Sequence, residues 1–392
     1  MDKVRFGVVG IGNMGSSHCK WLDGGDVKNA VLAAACDINP VKIENIKKQL
    51  KHPEAVRFYD DAETMFKSGD VDAVIIAVPH YDHPRLSIAA LKSGLNVVCE
   101  KPAGVYTKQV KEMNECASAS DKIFALMFNQ RTDPTFKKMK EMIAAGAIGN
   151  VKRTNWIITN WYRSQSYYDS GSWRATWAGE GGGVLFNQAP HNIDLFQWIT
   201  GLFPKSVRSF CHFGKWHDIE VEDDVTAYFE YDNGATGVFI TTTADTPGTN
   251  RFEIVGDAGK LVFDNFKLTY YKLKQNEREF NATYTGGFGE PGYDTEVIEV
   301  ESDPRPQHVR VLNNVADAIL GIEPLYIDGR EGIRGVELAD AMLLSTWLDK
   351  TIQFPIDDEV YYEELKKRIA VSRLKKTDEV VLNTEGTYGS KK

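Results

Sequence analysis

The chain has 392 residues of ordinary globular composition, enough for two domains with full cores. Its formal net charge of −9 argues against nucleic acid or an acidic membrane surface as a partner, and no apolar run is long enough to span a bilayer. No signal peptide is read before the first strand, and five scattered cysteines (Cys19, Cys36, Cys99, Cys116 and Cys211) suit core thiols in a reducing, cytoplasmic setting.

Val4–Val9 reads as a short apolar strand, followed by Gly10-Ile11-Gly12-Asn13-Met14-Gly15 and the start of a helix. This is the Gly-x-Gly-x-x-Gly pattern in the strand–turn–helix context that gives it meaning. Gly10 permits the turn, Gly12 lets a pyrophosphate approach the backbone, and Gly15 lets the helix pack on the strand. The helix N-terminus then offers unpaired N–H groups to phosphates. A second strand, Val31–Cys36, ends in Asp37, roughly 20 residues past the glycines, where an acid accepts the ribose hydroxyls of NAD. The same carboxylate repels a 2′-phosphate, and Ile38 stands where NADP enzymes often place Arg or Ser, so NAD is expected over NADP.

Val71–Pro79, Asn96–Cys99 and Lys122–Phe128 read as further buried strands, with a helix opened by Pro84 and closed by Gly94. Strands alternating with helices imply a doubly wound parallel sheet, a Rossmann domain over residues 1–125. Past it the texture changes. Segments 151–162, 206–213, 224–231, 236–243, 251–255 and 260–271 read as strands joined by short turns, with helices near 134–145, 187–200, 307–320 and 331–350. The expected fold class is thus α/β, with an α+β second domain over 126–375 built on a mainly antiparallel sheet. Residues 376–392 read as a polar tail.

Three segments carry chemistry. Glu100-Lys101-Pro102 follows a buried strand, so it lies at the carboxyl end of the sheet, where such folds bind ligands. Lys101 is placed to stabilise a developing alkoxide, with Glu100 anchoring its amine. In the segment Gly181–Trp198, three glycines bring the backbone close to something, and a helix then sets Asn187, His191 and Asp194 on one face. The helix N-terminus disfavours imidazolium, which keeps His191 available as a base. Third, the aromatics Trp156, Trp161, Tyr162, Tyr167, Tyr168, Trp173 and Trp177 are interleaved with Arg163 and Arg174; in a loop, such rings suit the faces and hydroxyl edges of a sugar. His80-Tyr81-Asp82-His83 has no matching ligand cluster, so a cofactor-side loop is expected there and no metal.

Together, Gly10–Gly15, Ala77-Val78-Pro79 with His83, Glu100-Lys101-Pro102 and Gly181–Asp194 resemble the glucose–fructose oxidoreductase / inositol dehydrogenase (Gfo/Idh/MocA) family from about residue 3 to about residue 370. The resemblance implies a Rossmann domain, an open-sheet C-terminal domain, and a homodimer or homotetramer built through that sheet. It also implies that Lys101 and His191 are catalytic. Gly10, Gly12, Asn13, Met14, Gly15, Asp37, Ile38, Ala77, Val78, Pro79, His83, Glu100, Lys101, Asn129, Trp173 and Arg174 would hold the cofactor. Asn187, Asp194, Arg131, Tyr168 and Arg163 would reach the carbohydrate. Many relatives carry Asp where this chain has Asn187. The string Gly183–Leu195 is similar to the levoglucosan dehydrogenase and glycoside 3-dehydrogenase subgroup, which implies oxidation at C3. A redox glycosidase that recycles its NAD, and a non-catalytic nucleotide sensor, are the alternatives.

Overall fold

The computed structural model describes residues 3–373, so the tail read at 376–392 lies outside the described residues. The first domain runs β1 (Val4–Val9), α1 (Asn13–Gly24), β2 (Ala30–Cys36), α2 (Pro40–Lys47), β3 (Arg57–Tyr59), α3 (Ala62–Lys67), β4 (Ala73–Ile76), α4 (Asp82–Lys92), β5 (Asn96–Cys99), α5 (Thr107–Ser118) and β6 (Phe124–Leu126). Its six strands lie in the order β3-β2-β1-β4-β5-β6, every pair parallel. All four residues of β4 are buried, as a strand covered on both faces requires. The order reverses between β1 and β4, and the loops after these strands open onto one crevice at their carboxyl ends.

The second domain runs α6 (Pro134–Ala144), β7 (Val151–Ile158), α7 (Gln165–Tyr168), α8 (Pro190–Trp198), β8 (Ser206–Phe213), β9 (Glu222–Glu230), β10 (Thr236–Thr242), β11 (Asn250–Gly256), β12 (Gly259–Asp264), β13 (Lys267–Leu273), α9 (Glu277–Thr283) and β14 (Tyr293–Ile298). The chain then continues through α10 (Gln307–Ile319), α11 (Gly332–Trp347), β15 (Ile352–Gln353) and α12 (Asp358–Ile369). The nine-stranded sheet has the order β14-β13-β12-β11-β7-β10-β9-β8-β15, antiparallel except for β7 with β10. Its inner face carries Trp156, Phe239 and Phe252 against Phe196 of α8. Its outer face alternates with them, as a period of two demands.

Two details depart from the sequence reading. The strand expected at 260–271 is a hairpin, because Asn265 and Phe266 both take positive φ (45° and 70°) and turn the chain back. The segment containing α10 returns to the first sheet's side. Lys28 N–H donates to Asn313 Oδ1 at 3.0 Å, Asn29 donates to Asp317 at 2.5 Å, and His308 stacks on Trp21.

Candidate active site

The glycine turn is a cradle with one open side. Gly10 takes φ +88°, and a Cβ there would press to 2.5 Å from the Ala77 carbonyl oxygen. A Cβ on Gly15 would lie 1.8 Å from the Gly10 oxygen, which explains the tight packing of α1 on β1. A Cβ on Gly12 would meet no atom within 4 Å. Gly12 therefore faces open space at the N-terminus of α1, and no side chain caps that helix. Asn13 and Met14 open its first turn, and Ala77, Val78 and the exposed Pro79 form the opposite rim. Asp37 accepts from the Ile11 N–H at 2.7 Å and from the Asn39 N–H at 2.9 Å, so its carboxylate is pinned at the end of β2. Ile38 beside it is 89% exposed. An open backbone cradle, an uncapped helix and a fixed acid fit the pyrophosphate and ribose of a dinucleotide.

Beyond the cradle lies the loop after β5. The Glu100 side chain does not anchor the Lys101 amine, as the sequence suggested. Its Oε1 is 2.8 Å from His18 Nε2, which must therefore carry the proton, and its Oε2 accepts from the Lys101 backbone N–H at 3.3 Å. Burial opposes ionisation of Glu100, but the His18 bond overrides it and holds the carboxyl at about 2. The Lys101 ammonium instead donates to the Asn187 backbone carbonyl at 2.9 Å. Burial lowers the Lys101 pKa below its ordinary value; the charges of Glu100 and Glu180 oppose this, and Arg174 and Arg163 act with it. His83 sets the loop from below. Its Nδ1 lies 2.7 Å from the Pro102 carbonyl and its Nε2 lies 2.9 Å from that of Val78, so it ties the loop after β4 to the loop after β5.

The three glycines before α8 approach named neighbours. A Cβ on Gly181 would strike Val105, one on Gly182 the Phe186 ring, and one on Gly183 the Glu222 carbonyl oxygen at 2.0 Å. Glu222 Oε1 also accepts from the Gly183 and Leu185 N–H groups at 2.8 and 3.0 Å. The turn they shape carries Asn187, which sits ahead of α8 and so does not share its face with His191 and Asp194. His191 lies in the first turn of α8. Its Nδ1 is buried without a hydrogen-bond partner, and burial, then the charge of Lys101, holds the imidazole well below its usual range. The ring is neutral at neutral pH and ready to accept a proton.

A dinucleotide cradle beside a lysine–histidine pair narrows the fold to a redox use, and family comparison agrees. Residues 4–128 match an oxidoreductase family with an NAD-binding Rossmann fold, and residues 136–262 match the GFO/IDH/MocA C-terminal domain. The chain belongs to the GFO/IDH/MocA family. It is an NAD-binding oxidoreductase. Myo-inositol 2-dehydrogenase of Thermotoga maritima is 27% identical over 336 residues, 84% of this chain and 92% of that protein. Levoglucosan dehydrogenase of Pseudarthrobacter phenanthrenivorans is 25% identical over 327 residues, covering 73% and 81%. Among solved structures, WlbA dehydrogenase from Bordetella pertussis in complex with NADH and UDP-GlcNAcA superposes with TM-score 0.74 at 25% identity, covering 91% of this chain and 100% of that one.

Within this family member, the remaining expected site residues divide into two groups. Arg131 and Asp194 are paired with each other rather than presented to the crevice. The guanidinium donates to both carboxylate oxygens at 2.7 and 2.6 Å, Glu331 takes a third bond, and both residues are 1% exposed. Burial lowers the Arg131 pKa, but Asp194 and Glu331 outweigh it and hold the group above its ordinary value. Tyr168 is likewise turned inward, its hydroxyl donating to Thr243 at 2.7 Å. Asn129 donates to Gln307 at 2.9 Å and leaves its own Oδ1 buried without a partner.

Brought together instead are Trp173, Arg174, Arg163 and Tyr167. The Tyr167 hydroxyl accepts from Arg174 at 3.0 Å and from Gln188 at 3.3 Å, and donates to Asn187 Oδ1 at 3.4 Å. Trp173 meets His80 edge-on, and His80 faces the Glu180 carbonyl at 3.3 Å. Glu180 was not foreseen. Its buried carboxylate accepts from the Asn187 amide and from the Ala175 N–H, and burial raises its pKa. The one sequence signal for it was an acid directly before three glycines.

Proposed function

We propose that the protein oxidises a secondary ring hydroxyl of a sugar, glycoside or anhydrosugar, at C3, with NAD as oxidant. The observation that carries this reading is the convergence of Lys101 and His191. Lys101 donates to the turn that leads into the His191 helix, and its charge helps hold that imidazole neutral. Bound NAD supplies the hydride acceptor at nicotinamide C4. His191 takes the hydroxyl proton as the carbon–hydrogen bond is cleaved. The Lys101 ammonium donates to the same oxygen and stabilises the charge developing on it. Glu180 and Tyr167 hold the Asn187 side chain, and through that turn they keep the Lys101 acceptor in place.

Two relatives named for myo-inositol and levoglucosan support a polyhydroxylated ring as substrate. The fixed Asp37 carboxylate and the exposed Ile38 favour NAD over NADP. Five cysteines without disulfides suit a cytoplasmic setting. For assembly, the outer face of the nine-stranded sheet favours a homodimer or homotetramer. Ile157, Ile240, Thr226 and Phe210 form one cross-strand row on it, with Asn155, Val238, Tyr228 and Arg208 in the next. Phe210 and Tyr228 are 54% and 43% exposed.

The test is NADH formation at 340 nm with NAD or NADP, against glucosides, anhydrosugars, free aldoses and inositols. Turnover with NAD on a substrate whose C1 is blocked supports ring-hydroxyl oxidation, and the keto position of the product identifies the carbon. Activity on free aldoses alone would overturn the C3 assignment.

A further inference from the structure

We infer that His308, in the first turn of α10, is a contact of the nicotinamide end of the cofactor and hydrogen-bonds its carboxamide. The inference rests on the NAD-binding fold and not on the choice of sugar. Asp37 ends β2 and the Gly12 turn follows β1, so the adenosine ribose and the pyrophosphate belong to that side of the switch point. The other half of the dinucleotide then extends over β4, β5 and β6. Glu100, Lys101 and Asn129 follow the last two of these strands.

Contacts on both sides of His308 bring α10 to that place. Gln307 accepts from the Asn129 amide at 2.9 Å and donates to Asp133 at 3.2 Å, which seats the first turn on the segment after β6. Further along, Asn313 and Asp317 accept from Lys28 and Asn29 of the cofactor domain. The His308 ring stacks on Trp21 of α1, with centres 5.4 Å apart and planes at 26°, and meets the His18 ring edge-on at 5.9 Å. His18 in turn bonds Glu100, the neighbour of Lys101. These contacts fix the plane of the His308 ring, which is half-buried. Among the described residues, neither of its nitrogens makes a hydrogen bond.

The polar groups around it are already committed. His18 Nε2 is held by Glu100 and its Nδ1 is sealed in the interior. The Asn129 amide donates to Gln307, the Lys101 ammonium donates to the Asn187 carbonyl, and His191 is the proposed base. Burial lowers the His308 pKa to about 4; Glu100 opposes this, and His18 and Lys101 act with it. At neutral pH the ring is uncharged, with one N–H and one lone pair. The carboxamide, the only hydrogen-bonding group on the nicotinamide ring, offers the matching acceptor and donor. An imidazolium would repel the oxidised ring, which is itself cationic; a neutral imidazole does not. The charge of His308 also acts on His191, so the ring stands near both reacting side chains.

The experiment is calorimetric titration of the full chain with NADH and with ADP-ribose, which keeps the adenosine, the pyrophosphate and the second ribose but lacks nicotinamide. His308→Phe retains a ring against Trp21 and His18 and removes both nitrogens. It should weaken NADH about 10-fold and leave ADP-ribose unchanged. His308→Gln, which restores a donor and an acceptor, should recover part of the NADH affinity. An unchanged thermal midpoint without cofactor shows that each variant folds. Equal weakening of NADH and ADP-ribose would overturn the inference and leave His308 a support of the cofactor domain. Unchanged NADH affinity with a raised KM for the sugar would also overturn it and make His308 a substrate contact. Neither titration needs a sugar, so failure of the C3 reading leaves the result interpretable.

Discussion

The Lys101 ammonium donates to the backbone carbonyl of Asn187, 86 residues later in the chain, at 2.9 Å. One residue lies in the loop after a parallel strand of the cofactor domain, and the other lies in the glycine turn that the second domain presents to it. Because the acceptor is backbone, the bond survives a change of the Asn187 side chain. Lys101→Met should therefore lower kcat on the order of 10²-fold or more. Asn187→Ala, which keeps the carbonyl but frees Glu180 and Tyr167, should cost about 10-fold. Steady-state rates for the two variants decide the order; an equal loss in both would show that the Asn187 side chain itself reacts.

In the proposed reaction, His191 should set the acid limb of the pH profile. Burial and Lys101 depress its pKa, so the base form persists below the ordinary histidine value near 6.5. Log kcat/KM should stay level on acidification through pH 6.5 and fall only well below it. A limb centred at or above 6.5 would show that another group is the base. His191→Asn should reduce kcat by about 10² to 10⁴-fold.

Arg131 and Asp194 should behave as a structural pair. Removing Arg131 leaves the buried Asp194 charge uncompensated, at about 3–5 kcal/mol, and removing Asp194 leaves Arg131 with Glu331 alone. Arg131→Met or Asp194→Asn should lower the thermal midpoint sharply, and Arg131→Met with Asp194→Leu should recover much of it. A rise in sugar KM without loss of stability would instead make them substrate contacts.

Gly12 and Gly15 separate binding from folding. Alanine at 12 meets only open space, so Gly12→Ala should unfold like the parent yet bind NAD about 10-fold or more weakly, since the methyl group occupies the pyrophosphate approach. Alanine at 15 collides with the Gly10 oxygen and should cost roughly 1–3 kcal/mol of stability with or without NAD. Thermal unfolding and fluorescence titration with NADH read both effects.

Glu222 gives a pH-dependent stability. Burial pushes its carboxyl up to about 7 from an ordinary value of 4.5. Between those values the folded protein keeps a proton that the unfolded chain has released, so stability falls as pH rises through the window and levels above it. Glu222→Gln retains an acceptor for Gly183 and Leu185 but does not titrate. Urea unfolding at pH 5 and pH 7.5 should show the variant gaining on the parent by roughly 2 kcal/mol over that range. A gap independent of pH would refute the buried titration.

Local signals carried much of this protein. The Gly10–Gly15 turn, Asp37 at the end of β2, the buried runs of β4 and β5 and the lysine after β5 were all legible, because each depends on a few adjacent residues. So was His191 in the first turn of its helix, placed there by Pro190. Tertiary structure decided which polar side chains face the crevice and which face each other. Arg131 meets Asp194 across 63 residues, Glu100 meets His18 across 82, and Tyr167 gathers Arg163, Arg174 and Asn187 while its neighbour Tyr168 turns inward. Chain order carries no record of such pairings. A buried charge takes whichever partner the packed elements bring within hydrogen-bond reach, and that is settled only when the two sheets and their loops close together.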